Sequence, residues 1–241
     1  MTPLDIVQQT SPVLNSAGSV FYFHPDTLAS GKELGLDGFR FYFLGRGGVL
    51  GDVEPAVIVS AFGYFAPAVV EAMWGSAKQI VPPRDAARAY LGCAEHVGRS
   101  KLTGVDGLDA FNDAAEKIVA SVDRSALPLF AGIAAEPLPD DPAARAYRNV
   151  CNLRELRGST HLLAVVAAGL SPSKAHTIRR PDDVAAFGWE PAPEISDDDR
   201  TRLDAADELT DRLMVPSVAV LGEQQASTFV DAVEVIGARL S

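Results

Sequence analysis

The sequence predicts an all-α protein, a multi-helix fold of two packed lobes. Three observations point that way. Apolar residues recur at helical spacing along most of the chain, prolines stand where a first helical turn tolerates a missing N–H, and no alternating run finds an obvious pairing strand. With 241 residues, 47% of them hydrophobic, the chain has material for one compact unit of two lobes.

In chain order, Val20-Phe21-Tyr22-Phe23 has strand propensity but no partner, so it reads as a buried aromatic turn of helix. Phe39 to Leu44 carries the same ambiguity. The stretch PAVIVSAFGYFAPAVVEAMW, from Pro55 to Trp74, reads as two buried helical pieces broken at Ala66-Pro67, because proline biases its predecessor away from helix. Pro55, Pro83, Pro142 and Pro181 read as helix starts. AEPLPDD at 135–141 is a connection and ends a first lobe, residues 1–135. The central helix then runs from Pro142 to Gly169, where Gly169 and Pro172 supply a stop, with a bend expected at Gly158. WEPAPEISDDD at 189–199 is a second connection. An acidic helix from Asp198 to Leu213 and an amphipathic helix from Glu223 to Leu240 complete a second lobe, residues 136–241.

Charge and cysteine usage narrow the function classes. Twenty-one Lys and Arg against 32 Asp and Glu give a net charge of −11, which disfavours nucleic acid and anionic membrane as partners. Arg179-Arg180 is the longest basic cluster, and Asp182-Asp183 cancel it locally. Cys93 and Cys151 stand far apart without ligand spacing, so no metal site is expected, and each reads as a small core residue. No signal region or membrane-length apolar run is visible, and a cytoplasmic setting is the expectation.

Most short catalytic signatures are absent: there is no GxGxxG opening a βαβ unit, no GxxxxGK[ST], no GxSxG and no HExxH, and nothing names a cofactor. The strongest polar cluster lies on the central helix. Arg154, Arg157 and His161 stand at i, i+3 and i+7 on one face, Glu155 and Ser159 turn elsewhere, and Leu153, Leu156 and Ala164 form an apolar stripe beside them. Two readings compete: ligand-binding groups lining an internal cavity, or buried charges paired with core carboxylates. His161 is the best group for acid–base work by its intrinsic pKa. His24, His96 and His176 are isolated, His24 reading as a helix-start residue and His176 as surface. A second cluster surrounds Arg46, with Tyr42 one turn before it and Phe21, Phe23, Phe39 and Phe43 as walls of a pocket. The alternative there is a helix end, with Arg46 satisfying final carbonyls.

FYFLGRGGVLG at 41–51, VIVSAFGYFAPAVV at 57–70, LRELRGSTHLLAVVAAGL at 153–170, GW at 188–189 and ELTDRL at 208–213 together resemble an actinobacterial family of uncharacterised proteins. That family is described as helix-turn-helix or winged-helix-like, and some members are encoded near specialised-metabolite genes. The resemblance implies a mostly helical fold whose second lobe is a reduced winged helix, and it implies no settled activity. Its shared positions are Arg46, Arg154, Arg157, Gly158, His161, Trp189, Glu208, Thr210 and Asp211. This chain departs from the pattern after Trp189, where EPAPEISDDDRTRLDAA is too short and too acidic for a recognition helix plus wing.

The function expected is small-molecule binding, as an enzyme or accessory protein of specialised metabolism, through Tyr42, Arg46, Arg154 and Arg157 with His161 as the catalytic group. A helix-turn-helix-derived regulator and an interaction protein, meeting a partner or a second copy of the chain, are the alternatives.

Overall fold

A computed structural model describes residues 1–241. The chain is all-helical: twelve α-helices and two short 3-10 turns, with no strand. Eight of the twelve helices open on a proline. The missing N–H costs nothing at that position, so proline's fixed φ sets each start without loss.

The first lobe sequence forms α1 (Pro3–Ala17), α2 (Pro25–Glu33), α3 (Gly38–Gly47), α4 (Pro55–Phe62), α5 (Pro67–Ala77), α6 (Pro83–Leu102), α7 (Leu108–Ser121) and α8 (Pro128–Ile133). Residues 19–23 form turns after α1, not a helical turn. Phe21 is buried there while Phe23 is 47% exposed, so only part of the expected aromatic burial occurs. The Phe39 to Leu44 ambiguity resolves as helix α3, because Asp37 caps it by accepting from the Arg40 N–H at 2.9 Å. The apolar stretch after Pro55 does break into two helices. Gly63, at φ +53, ends α4, and Pro67 begins α5. These helices are half-buried rather than buried: Ile58, Phe62, Val70 and Trp74 point inward, whereas Val57 is 40% exposed.

The central helix α9 (Pro142–Ala167) runs unbroken, and Gly158 does not interrupt it. Its end is a Schellman turn: the Leu170 N–H donates to Val165 O and the Gly169 N–H to Val166 O, with Gly169 at φ +72. Then α10 (Pro172–Arg179) begins under a Ser171 cap. Pro181 opens only a three-residue 3-10 turn. After the 189–195 connection, α11 (Asp197–Val218) starts in a Ser196–Asp199 capping box and continues through Pro216, past the expected end at Leu213. Burial of Met214, Ser217 and Val218 holds this last turn against the lost hydrogen bond. The chain closes with α12 (Glu223–Leu240).

One apolar cluster runs from Ile6 to Leu240 and draws on residues from both expected lobes, with Ala146, Tyr147 and Val150 of α9 fully buried in it. A smaller cluster of Ala164, Val165, Leu170, Ala175, Leu203 and Ala206 ties the end of α9 to α10 and α11. Between the two clusters the packing opens. No helix is long and apolar enough to cross a membrane.

Candidate functional site

The opening is a cleft of about 880 Å³ whose floor is α9, from Arg154 to Leu162. One wall is aromatic, made of Tyr22, Phe23, Phe39, Tyr42, Phe62 and Phe65; the other is polar, from α10 and α11, with Arg179, Asp207 and Asp211. Segment 184–189 closes the end. The Ala66 N–H donates to Phe187 O at 2.8 Å and the Trp189 indole N–H to Tyr64 O at 2.7 Å. Gly188, at φ +84, passes so close that a Cβ would lie 2.4 Å from Val69. That is why a glycine precedes Trp189.

All five residues expected from sequence, Tyr42, Arg46, Arg154, Arg157 and His161, line this cleft. Arg46 sits in the last turn of α3, yet its side chain does not cap that helix. It donates from Nε to Glu155 Oε2 at 3.1 Å, from Nη2 to Oε1 at 2.9 Å and from Nη1 to the Tyr42 hydroxyl at 2.7 Å. Its guanidinium lies 4.8 Å over the Phe62 ring. Glu155 therefore belongs to the site, contrary to the expectation that it turns away. One residue along an α-helix is about 100°, and the cleft spans a wider arc of α9 than one stripe. Ser159 also lines it.

Arg154 differs from Arg46. Its closest carboxylate oxygen, on Glu155, is 3.8 Å away, beyond hydrogen-bond range, and its Nε is buried without a partner. The guanidinium rests 4.8 Å above Tyr22. Gly18 lets its stem pass, since a Cβ there would meet Arg154 Cβ at 2.8 Å. Arg157 is similarly under-satisfied, 3.8 Å from Asp211 with Nε buried and unpartnered. The core-pairing alternative thus fails for Arg154 and Arg157 at hydrogen-bond distance, while Arg46, read as a helix cap, is the arginine that pairs with a buried carboxylate.

His161 is fixed by α11. Its Nδ1 lies 3.0 Å from Thr210 Oγ1, which itself donates to Ala206 O at 2.7 Å. Because the threonine proton is committed, Nδ1 carries the imidazole proton and Nε2 keeps a free lone pair. Burial, and after it the positive charges of Arg157 and Arg179, push the His161 pKa down to about 4. Asp207, 3.7 Å from Nδ1, is itself paired with Arg179 and does not offset this.

Three contributors escaped the sequence reading. Tyr64 stacks beside His161 with its hydroxyl buried and unpartnered. His176, expected on the surface, is buried and lies 3.8 Å from Phe187, which in turn stacks on Phe65 at 3.9 Å. Burial lowers its pKa as well. Conversely, Phe21 and Phe43 are core residues and not cleft walls; Phe43 packs behind Phe62 at 5.1 Å. None of these contacts has a local sequence signature.

The sequence profile of a helix-turn-helix family matches residues 7–186. The chain belongs to that family. The matched span covers the aromatic wall, the whole cleft floor and α10, while Phe187 and the α11 side chains Asp207, Thr210 and Asp211 lie beyond it. The helix pair α9 and α10, joined by the four residues 168–171, has the short glycine-containing turn of a helix-turn-helix. No β-wing follows it, since the chain contains no strand. No match was found among curated proteins or among solved structures.

Proposed function

We propose that this helix-turn-helix family protein binds a small aromatic acid in the cleft, its carboxylate at Arg154 and Arg46 and its ring against Tyr22, Tyr42 and Phe62. The observation that carries this is Arg154. Its side chain is only 19% exposed and makes no hydrogen bond, its Nε is buried without a partner, and the one carboxylate beside it is already engaged by Arg46. Buried guanidinium donors are costly to leave unmatched, and a planar carboxylate satisfies two at once. The cleft volume also falls in the range of small-molecule pockets, roughly 300–1,000 Å³. His161 Nε2 is the group placed to accept a proton should turnover accompany binding. With a pKa near 4 it is a weak base, which favours binding over proton abstraction. A cytoplasmic role in specialised metabolism fits this reading.

Family membership favours a second reading, a regulator that reads DNA through α10. The surroundings of α10 oppose it. Lys174, in its first turn, is paired with Asp199 at 2.8 Å, and Asp197, Asp198 and Asp199 open α11 beside it. Phosphates would meet acidic side chains there.

Native mass spectrometry of the protein from its own host tests the first reading. A retained acid of a few hundred daltons or less, absent from the Arg154→Met variant, is the expected result. A bare mass for both proteins, with no thermal shift on adding aromatic carboxylates, contradicts it.

A further inference from the structure

We infer that the cleft holds a second polar subsite, formed by Tyr64, Arg157 and His161, that receives a hydroxyl group, so that the ligand is a hydroxylated aromatic acid. This rests on the cleft reading above and narrows it.

The three groups come from separate places: Tyr64 from the α4–α5 connection, Arg157 and His161 from successive turns of α9. The Tyr64 hydroxyl and Arg157 Nε are both buried without a hydrogen-bond partner. Arg157 Nε can only donate and the Tyr64 hydroxyl can donate as well as accept, so a ligand oxygen matches both. His161 supplies the opposite need. Thr210 occupies Nδ1 and fixes the tautomer, leaving Nε2 as an acceptor that no protein donor reaches.

A group matching all three must accept from Tyr64 or Arg157 and donate to His161. A hydroxyl does both. A second carboxylate would accept from the two donors but would set lone pair against lone pair at Nε2. Protonating His161 to relieve that clash is disfavoured, since burial, and after it the charges of Arg157 and Arg179, hold the imidazole neutral. A methyl ether accepts and cannot donate.

Spacing sets where the hydroxyl lies. At about 1.5 Å per residue, Arg157 stands roughly 4.5 Å and His161 roughly 10.5 Å along α9 from Arg154. The ligand therefore carries its hydroxyl on the far side of an aromatic ring from its carboxylate. Aromatic residues from Tyr22 to Phe65 line the same cleft and supply faces for that ring.

Calorimetric titration at neutral pH with cinnamate, 4-hydroxycinnamate and 4-methoxycinnamate tests this, in the natural protein and in Tyr64→Phe. The Tyr64 hydroxyl makes no hydrogen bond within the protein, so that variant loses no internal hydrogen bond. The expected result is that 4-hydroxycinnamate binds about tenfold more tightly than either other acid, and that Tyr64→Phe cuts this preference to about threefold or less. Equal binding of all three overturns the subsite and leaves the carboxylate site standing. Methoxy binding as tight as hydroxy overturns the role of His161 as acceptor. Failure of all three to bind overturns the subsite and the cleft reading together.

Discussion

Glu155 carries one negative charge and faces two guanidiniums, so the inner end of the cleft keeps a positive excess. Removing that carboxylate leaves Arg46 buried without its counter-ion, and Glu155→Ala should destabilise by about 3 kcal/mol in chemical denaturation. Replacing both partners, Arg46→Met with Glu155→Leu, should restore most of the loss; a double variant as unstable as the single one would contradict the pairing. His161 gives a pH signature. Its folded pKa, near 4, lies below the ordinary value of about 6.5, so between those values the unfolded chain binds more protons. Stability should therefore rise with pH from about 4 to 6.5, by up to about 3 kcal/mol from this residue, and flatten above. The charged groups facing it are Arg157, Arg179 and Asp207, so the NMR midpoint of His161 is the direct readout; a midpoint near 6.5 would refute a buried neutral imidazole. Of these residues, Arg154, Arg157 and His161 were legible because the 3.6 period puts them on one face. Glu155 was not, because one residue's rotation carries it off that face and its partner lies 109 positions away in sequence.

At the scale of helices, proline and glycine did most of the legible work. Pro55, Pro83, Pro142 and Gly169 mark boundaries through their own backbone limits, without reference to the rest of the fold. Gly158 shows where that logic ends. Nothing packs against it: the nearest atom to an added Cβ is Glu155 Oε1 at 3.9 Å, on the cleft floor. Gly158→Ala should accordingly raise stability by about 0.5–1 kcal/mol and weaken binding of an aromatic acid, since the methyl group enters the cleft. Gly169→Ala should lower stability by about 1–2 kcal/mol, because φ is positive there and Arg202 lies close. Thermal melts of the two variants moving in the same direction would undo this account. Pro216 ran the other way: the sequence ends α11 before it, and only burial of the following turn against the body of the protein explains its continuation.

For the whole molecule, apolar spacing and proline placement foretell the all-helical class and composition the acidic net charge, but neither foretells the cleft. The cleft exists because two apolar clusters, one centred on α9 and one on α10 and α11, fail to merge, and that depends on contacts such as Trp189 to Tyr64 with no local signature. A net charge of −11 also surrounds a locally cationic pocket. Duplex DNA should therefore not be retarded by this protein at moderate salt; a salt-sensitive shift would favour the regulator reading instead. The most direct test of the central claim is a calorimetric titration of cinnamate into the natural protein and into Arg154→Met. Arg154 makes no internal hydrogen bond, so the variant should stay within about 1 kcal/mol of the natural stability. The prediction is saturable one-site binding that weakens at least about tenfold in the variant. Equal affinity in both proteins would contradict the assignment of the carboxylate site to Arg154.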